Sequence, residues 1–98
     1  MTREETLSRL RSLEAALRGK GVRALYLFGS VARGEAGPGS DIDLFFDYDP
    51  ANRMSYFSVI GIEQFLENEL RTRIDLIPRD SLHRLARDEI VSTAQQVY

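Results

Sequence analysis

Residues 25–46 of the chain read LYLFGSVARGEAGPGSDIDLFF. An apolar run ends at Gly29-Ser30, a glycine-containing loop follows, and a second apolar run carries Asp41 and Asp43. Because side chains alternate between faces along a strand, the two carboxylates are predicted to share one face, with apolar residues on the other. Two neighbouring carboxylates on an apolar strand repel each other and are costly to desolvate, and a bound cation removes that cost. The stretch therefore predicts a divalent-metal site facing a small, glycine-lined pocket.

The flanking sequence predicts a small set of further elements. We predict helices over residues 3–18, 54–71 and 82–97, strands over 22–28, 41–47 and 72–77, a helical turn over 31–33 and a loop over 35–40. Thr2-x-x-Glu5 has the form of a capping box at the start of the first helix. This order of elements predicts an α/β (α+β) two-layer domain over residues 1–98, with a three-stranded mixed sheet and flanking helices.

Three local features of these elements also carry expectations. The strand over 22–28 is nearly continuous in apolar residues, which is typical of a strand covered on both faces. Ser30 is placed to cap the helical turn that follows it, with Gly34 closing that turn. Gly61 lies inside a predicted helix, where glycine costs about 1 kcal/mol relative to alanine, so we expect close packing against a strand there.

Composition excludes several classes of protein. The 98 residues contain no cysteine, which rules out a disulfide framework and a thiolate metal site or nucleophile. Charges throughout the N-terminal helix argue against a signal peptide or a membrane span, so we expect a cytoplasmic protein without membrane association. A net charge of −2 argues against direct nucleic-acid binding, since phosphate-driven affinity needs clustered positive charge.

Two further features extend the predicted site. Gly29-Ser30, between a strand and a helix start, offers backbone N–H groups and a hydroxyl that suit a phosphate, although an ordinary turn has the same form. Asp75 lies between apolar neighbours on what should be an adjacent strand, on the same side as Asp41 and Asp43. A third carboxylate there suits a proton acceptor or a metal ligand, and solvated strand aspartates are the alternative.

Together these residues resemble a known family. Gly29-Ser30, ten intervening residues and then Asp41-x-Asp43 resemble the signature of the polymerase-beta-like nucleotidyltransferases. The run around that signature is similar to the minimal nucleotidyltransferases, and the segment containing Asp75 resembles the strand that carries the family's third carboxylate. The resemblance covers essentially the whole chain.

The resemblance implies an activity and a role for each residue. The family binds a nucleoside triphosphate, usually ATP, with one or two Mg²⁺ ions, and transfers the nucleotidyl group to a hydroxyl with release of pyrophosphate. It implies that Gly29 and Ser30 hold the triphosphate, that Asp41 and Asp43 bind metal, and that Asp75 is a third ligand or general base. Arg33 lies within the motif, where contact with phosphate and pairing with nearby acidic groups are both open.

The resemblance also implies a partner. Minimal members are commonly paired with a HEPN ribonuclease toxin, which they neutralise as antitoxin by transferring AMP to a tyrosine. We therefore expect a protein adenylyltransferase that forms a hetero-oligomer with such a toxin or a homo-oligomer. An antitoxin that acts by binding alone and a transferase for a small-molecule acceptor are the alternatives.

Overall fold

The computed structural model describes residues 1–35, 37 and 39–98. Its elements in chain order are α1 (Arg3–Arg11), α2 (Glu14–Gly19), β1 (Ala24–Phe28), α3 (Gly29–Ala32), β2 (Ile42–Asp47), α4 (Tyr56–Leu70), β3 (Ile74–Pro78), a 3₁₀ turn (Arg79–Ser81), α5 (Arg87–Thr93) and β4 (Gln95–Gln96). Positions 36 and 38 of the predicted loop over 35–40 lie outside the described residues. No helix in the described part of the chain is long and apolar enough to cross a membrane.

The strands form one mixed sheet in the order β3-β2-β1-β4. β1 is antiparallel to both β2 and β4, whereas β2 and β3 are parallel. The prediction of a mixed sheet with flanking helices is confirmed, but the sheet has four strands rather than three. β4 lies within the segment predicted as the last helix, because β1 offers hydrogen-bonding groups there and Val97 N donates to Leu25 O at 2.8 Å.

The helices cover one face of this sheet. Their buried side chains pack against alternate residues of the strands, and together they form the core. The core includes Leu7 and Leu10 of α1, Leu17 of α2, Leu25 and Leu27 of β1, Ile42, Leu44 and Phe46 of β2, Ile62, Leu66 and Leu70 of α4, and Ile74 and Leu76 of β3. The two-layer arrangement is therefore confirmed.

The opposite face of the sheet, hereafter the open face, is partly exposed, although Phe45 of β2 is fully buried on it. In β1, Leu25 and Leu27 are buried in the core, while Tyr26 is only half-buried. The prediction that this strand is covered on both faces is therefore wrong. On the open face Tyr26 stacks on Phe45, with ring centroids 4.7 Å apart, and the Arg79 guanidinium lies 4.9 Å and 5.2 Å from the two centroids.

Two of the predicted helices are shorter than expected. The predicted helix over 3–18 begins at the predicted capping box of Thr2 and Glu5, but it divides at Ser12 into α1 and α2. The Ser12 hydroxyl donates to Arg9 O at 2.6 Å, and Leu13 N donates to the carbonyl three residues back instead of four. This side-chain bond competes with the regular helical ladder.

The last predicted helix contracts to α5, seven residues long. The expected close packing at Gly61 is also wrong, because a Cβ built there has no atom within 4 Å.

Candidate functional site

The predicted carboxylates meet on the open face of the sheet. Asp43 of β2 is the register partner of Asp75 on the parallel neighbour β3. Residues in register on adjacent strands point to the same face, so both carboxylates lie side by side. Asp41 precedes Asp43 by two positions and is exposed. The register agrees with the prediction that Asp43 and Asp75 share one face, whereas Asp41 lies just before β2.

Repulsion from the other two carboxylates affects the pKa of Asp43. Partial burial raises the pKa of Asp43, the charges of Asp75 and Asp41 raise it further, and the charge of Arg33 lowers it. The carboxylate therefore lies in an environment that disfavours its charged form and favours the approach of a cation.

The three carboxylates are neighbours without forming a closed ligand cage. Within the ranges described above, no three His, Cys, Asp or Glu side chains are grouped closely enough to hold a metal ion. The Asp41 carboxylate is 4.0 Å from Arg73 Nε, with side chains 50% and 86% exposed respectively. Such an exposed, long pair contributes little free energy, so it holds Asp41 only loosely.

Gly29 packs directly against Asp43. Its φ of +76° lies in the left-handed region, and a Cβ added there would overlap the Asp43 carboxylate, at 3.1 Å from Cγ. Phe28, the residue before it, is the register partner of Asp43. Both the backbone conformation and the close approach therefore require glycine at position 29.

Ser30 is not the helix cap that was expected. The N-cap of α3 is Phe28, so Ser30 lies in the first turn of the helix, half-buried. Gly34 closes the turn as predicted, with φ +72° and its N–H donating to Val31 O at 3.0 Å. The first N–H groups of a helix have no partner within it, and in α3 they begin beside the Asp43 carboxylate.

For Arg33, contact with phosphate and pairing with a nearby acidic group were both left open, and the structure shows an acidic pair. Its Nε donates to Glu35 Oε2 at 3.0 Å, and both side chains are more than half exposed. Its charge also reaches the site, since it lowers the pKa of Asp43. An exposed pair of this kind is easily exchanged for another anion.

A cleft of about 980 Å³ lies between the start of α1, the end of α3 and the segment before β3, and Asp41, Asp43 and Asp75 are not in its lining. Ser40 and Ile42, which flank Asp41 in the chain, are part of its lining. Four arginines from three segments of the chain also line it: Arg3, Arg33, Arg71 and Arg73. Sequence reasoning missed this group of arginines, because they come from three distant segments and share no motif.

Asp47 forms an ion pair that the sequence did not show. It ends β2, as the predicted strand over 41–47 implies, and it accepts two hydrogen bonds from Arg79, at 2.6 Å and 3.1 Å. The bond to Asp47 is the main reason why the pKa of Arg79 is raised. This fork joins the C-terminal ends of β2 and β3 on the open face, four residues along β2 from Asp43.

Comparison with known sequences identifies relatives of this chain. A family model described as a nucleotidyltransferase domain matches residues 7–97. The protein adenylyltransferase MntA of Thermococcus cleftensis is 39% identical over 83 residues, 84% of this chain and 82% of that protein. A Methanocaldococcus jannaschii protein assigned as a protein adenylyltransferase is 39% identical over 62 residues, and the match spans 63% of this chain and 62% of that protein.

Solved structures share the fold. A structure assigned as a minimal nucleotidyltransferase superposes with a TM-score of 0.81 at 26% identity, over 97% of this chain and 95% of that one. A chain in the complex of tri-AMPylated Shewanella oneidensis HEPN toxin with MNT antitoxin superposes with a TM-score of 0.70 at 20% identity, over 99% of this chain and 72% of that one. With a family model matched over nearly its whole length, this chain belongs to the nucleotidyltransferase domain family.

Proposed function

We propose that this chain is a Mg²⁺-dependent protein adenylyltransferase, which acts as an antitoxin by transferring AMP from ATP to a tyrosine of a HEPN toxin. The observation that carries the proposal is the pairing of Asp43 with Asp75 on an open sheet face, with Gly29 packed against Asp43. Family membership and the names of the relatives support the reaction class.

The donor set fits a magnesium ion. Asp43 has a raised pKa because it is partly buried and faces two other carboxylates, and an added cation would relieve that repulsion. Mg²⁺ commonly takes one or two carboxylates together with substrate phosphates, so a closed protein cage is not needed. Asp41 and Asp43 would hold the ion, with Asp75 as a third ligand or as the base, and the ion would supply charge neutralisation at the phosphates.

The protein groups around the carboxylates suit the triphosphate. N–H groups at the start of α3, with Ser30, would donate to its oxygens, and Arg33, whose charge reaches Asp43, would add positive charge near them. In the reaction the acceptor oxygen bonds to the α-phosphorus, the bond to the β-phosphate breaks and pyrophosphate leaves. Asp75 is exposed on the same face and would accept the proton of the acceptor hydroxyl.

The proposed partner rests on the relatives. One relative is named protein adenylyltransferase MntA, and one structural neighbour is a complex in which the HEPN toxin carries AMP groups. The open face of the sheet suits a protein acceptor, since Asp41 and Asp75 are exposed there. A tyrosine on the surface of another protein can therefore approach the carboxylates.

The test is transfer of labelled AMP. The chain is incubated with labelled ATP, Mg²⁺ and the protein encoded beside it, and we expect label on a tyrosine of that partner. Asp41→Asn and Asp43→Asn should abolish the label, whereas Asp49→Asn, at an exposed turn away from the site, should retain it. A folded wild type that leaves its folded partner unlabelled would refute the proposal. Full neutralisation of the partner by an Asp41→Ala/Asp43→Ala variant would instead show an antitoxin that acts by binding.

A further inference from the structure

β3, the strand that carries Asp75, stands at one end of the sheet. Its neighbour is β2, and Ile42 N donates to Arg73 O across that boundary at 3.0 Å. Backbone groups alternate sides along a strand, so those of Arg73 and Asp75 point towards β2 while those of Ile74 and Leu76 point outward. An outward row of N–H groups is a template on which another strand can pair.

Two glutamates of α4 occupy that outward row. Glu67 Oε2 accepts from Ile74 N at 3.1 Å, and Glu63 Oε2 accepts from Leu76 N at 3.1 Å. Both bonds are partly buried. Hydrogen bonds to an ionised carboxylate are about twice as strong as neutral ones.

The match between helix and strand has a simple geometric basis. Four residues along a helix rise about 6 Å, and two residues along a strand rise about 6.6 Å. Glu63 and Glu67 are therefore spaced like the two outward N–H groups, with α4 running opposite to β3. Buried side chains in the same turns of α4, Ile62 and Leu66, fix the helix against the core.

The two bonds bracket Asp75. Its own backbone faces β2, and the residues on either side of it are held from the other direction by α4. We infer that Glu63 and Glu67 are positioning residues that fix Asp75 beside Asp43 for AMP transfer, an inference that rests on the proposed function. If the glutamates only protected the strand edge from pairing with another strand, covering that edge would be enough. Instead, each glutamate accepts a hydrogen bond from a residue next to Asp75.

The experiment compares variants of the full chain. Glu63→Met and Glu67→Met remove the acceptor at similar length, and Glu63→Gln and Glu67→Gln keep an acceptor oxygen. Glu69→Met changes an exposed glutamate of the same helix. Val59→Ala trims a partly buried residue of α4 and serves as a control for lost stability with both glutamates intact.

Two measurements are made on each variant. The first is the exchange rate of the Ile74 and Leu76 amides, which we expect to rise about tenfold or more in the methionine variants and to stay near wild type in the glutamine ones. The second is kcat and KM for AMP transfer. Since a displacement of about 1 Å can cost about 10²-fold in rate, we expect kcat to fall about tenfold in each methionine variant with KM for ATP unchanged, and the glutamine variants to restore it.

Three results would overturn the inference. Unchanged amide exchange in the methionine variants would show that the bonds do not hold β3. Faster amide exchange with unchanged kcat would show that the glutamates only protect the strand edge. An equal fall of kcat in a Val59→Ala variant of equal stability would show a general structural effect. An inactive wild type would refute the proposed function itself, whereas an active wild type with silent methionine variants would refute the inference alone.

Discussion

Gly29→Ala tests whether the close contact between Gly29, at the start of α3, and the Asp43 carboxylate is needed for the function of the site. A Cβ at φ +76° costs about 1–2 kcal/mol from the backbone conformation alone. The new methyl group would also lie 3.1 Å from Asp43 Cγ and 3.3 Å from its Cβ, and would overlap the carboxylate oxygen. The carboxylate must therefore move, away from its place beside Asp75.

Gly34→Ala provides the matched control. Its φ of +72° carries the same backbone cost, but a Cβ there meets no atom within 4 Å. Each kcal/mol lowers Tm by about 4–8 °C in a domain of this size. We expect a loss of about 1–2 kcal/mol in the free energy of unfolding for Gly34→Ala and a larger loss for Gly29→Ala.

Transfer of AMP, measured at a temperature where both variants are folded, separates the two effects. We expect Gly34→Ala to retain transfer within a few-fold, and Gly29→Ala to lose about 10²-fold because a catalytic group is displaced by about 1 Å. Equal transfer by the two folded variants would refute the reasoning, since the backbone cost would then be the whole effect of the glycine.

Three further changes have expected outcomes. Asp43→Asn should raise Tm in EDTA, because it removes a charge that its neighbours disfavour, and added Mg²⁺ should then raise the Tm of wild type but not of the variant. Gly61→Ala should add about 1 kcal/mol to the free energy of unfolding, measured in urea, because the methyl group meets open space in a helix interior. Tyr98→Phe should lose about 1 kcal/mol at neutral pH, since the hydroxyl donates to Val22 O at 2.9 Å. Burial raises the pKa of Tyr98 to about 12 from an ordinary value of 10.0, so this stabilisation is complete below pH 10 and is lost as pH rises through 12. Phenolate absorbance and Tm measured across that range should show the loss in wild type and not in the variant.

Part of the site could be predicted because its signal is local. Strand alternation places Asp41 and Asp43 on one face, and the same rule applied to Asp75 gives the same face. The glycine at position 29 could be singled out, but its contact with Asp43 could not, since that contact joins residues from different elements, α3 and β2.

Other features depend on pairing between distant segments. β4 forms because β1 has free backbone groups beside it, and local spacing of apolar residues does not show such a pairing. The grouping of arginines around the cleft also depends on distant segments. In the sequence Glu63 and Glu67 look like ordinary polar positions of a helix, and only the packing of α4 against β3 shows their hydrogen bonds.

By itself the sequence determined the chemical groups of this protein and the faces on which they lie, because alternation along a strand and glycine at a turn are properties of neighbouring residues. The tertiary structure alone decided that Asp43 and Asp75 are in register and that a fourth strand completes the sheet. It also decided that two glutamates of α4 accept hydrogen bonds from β3. The physical reason is that register, edge capping and strand addition are hydrogen-bonding choices between segments, made only when the core brings those segments together.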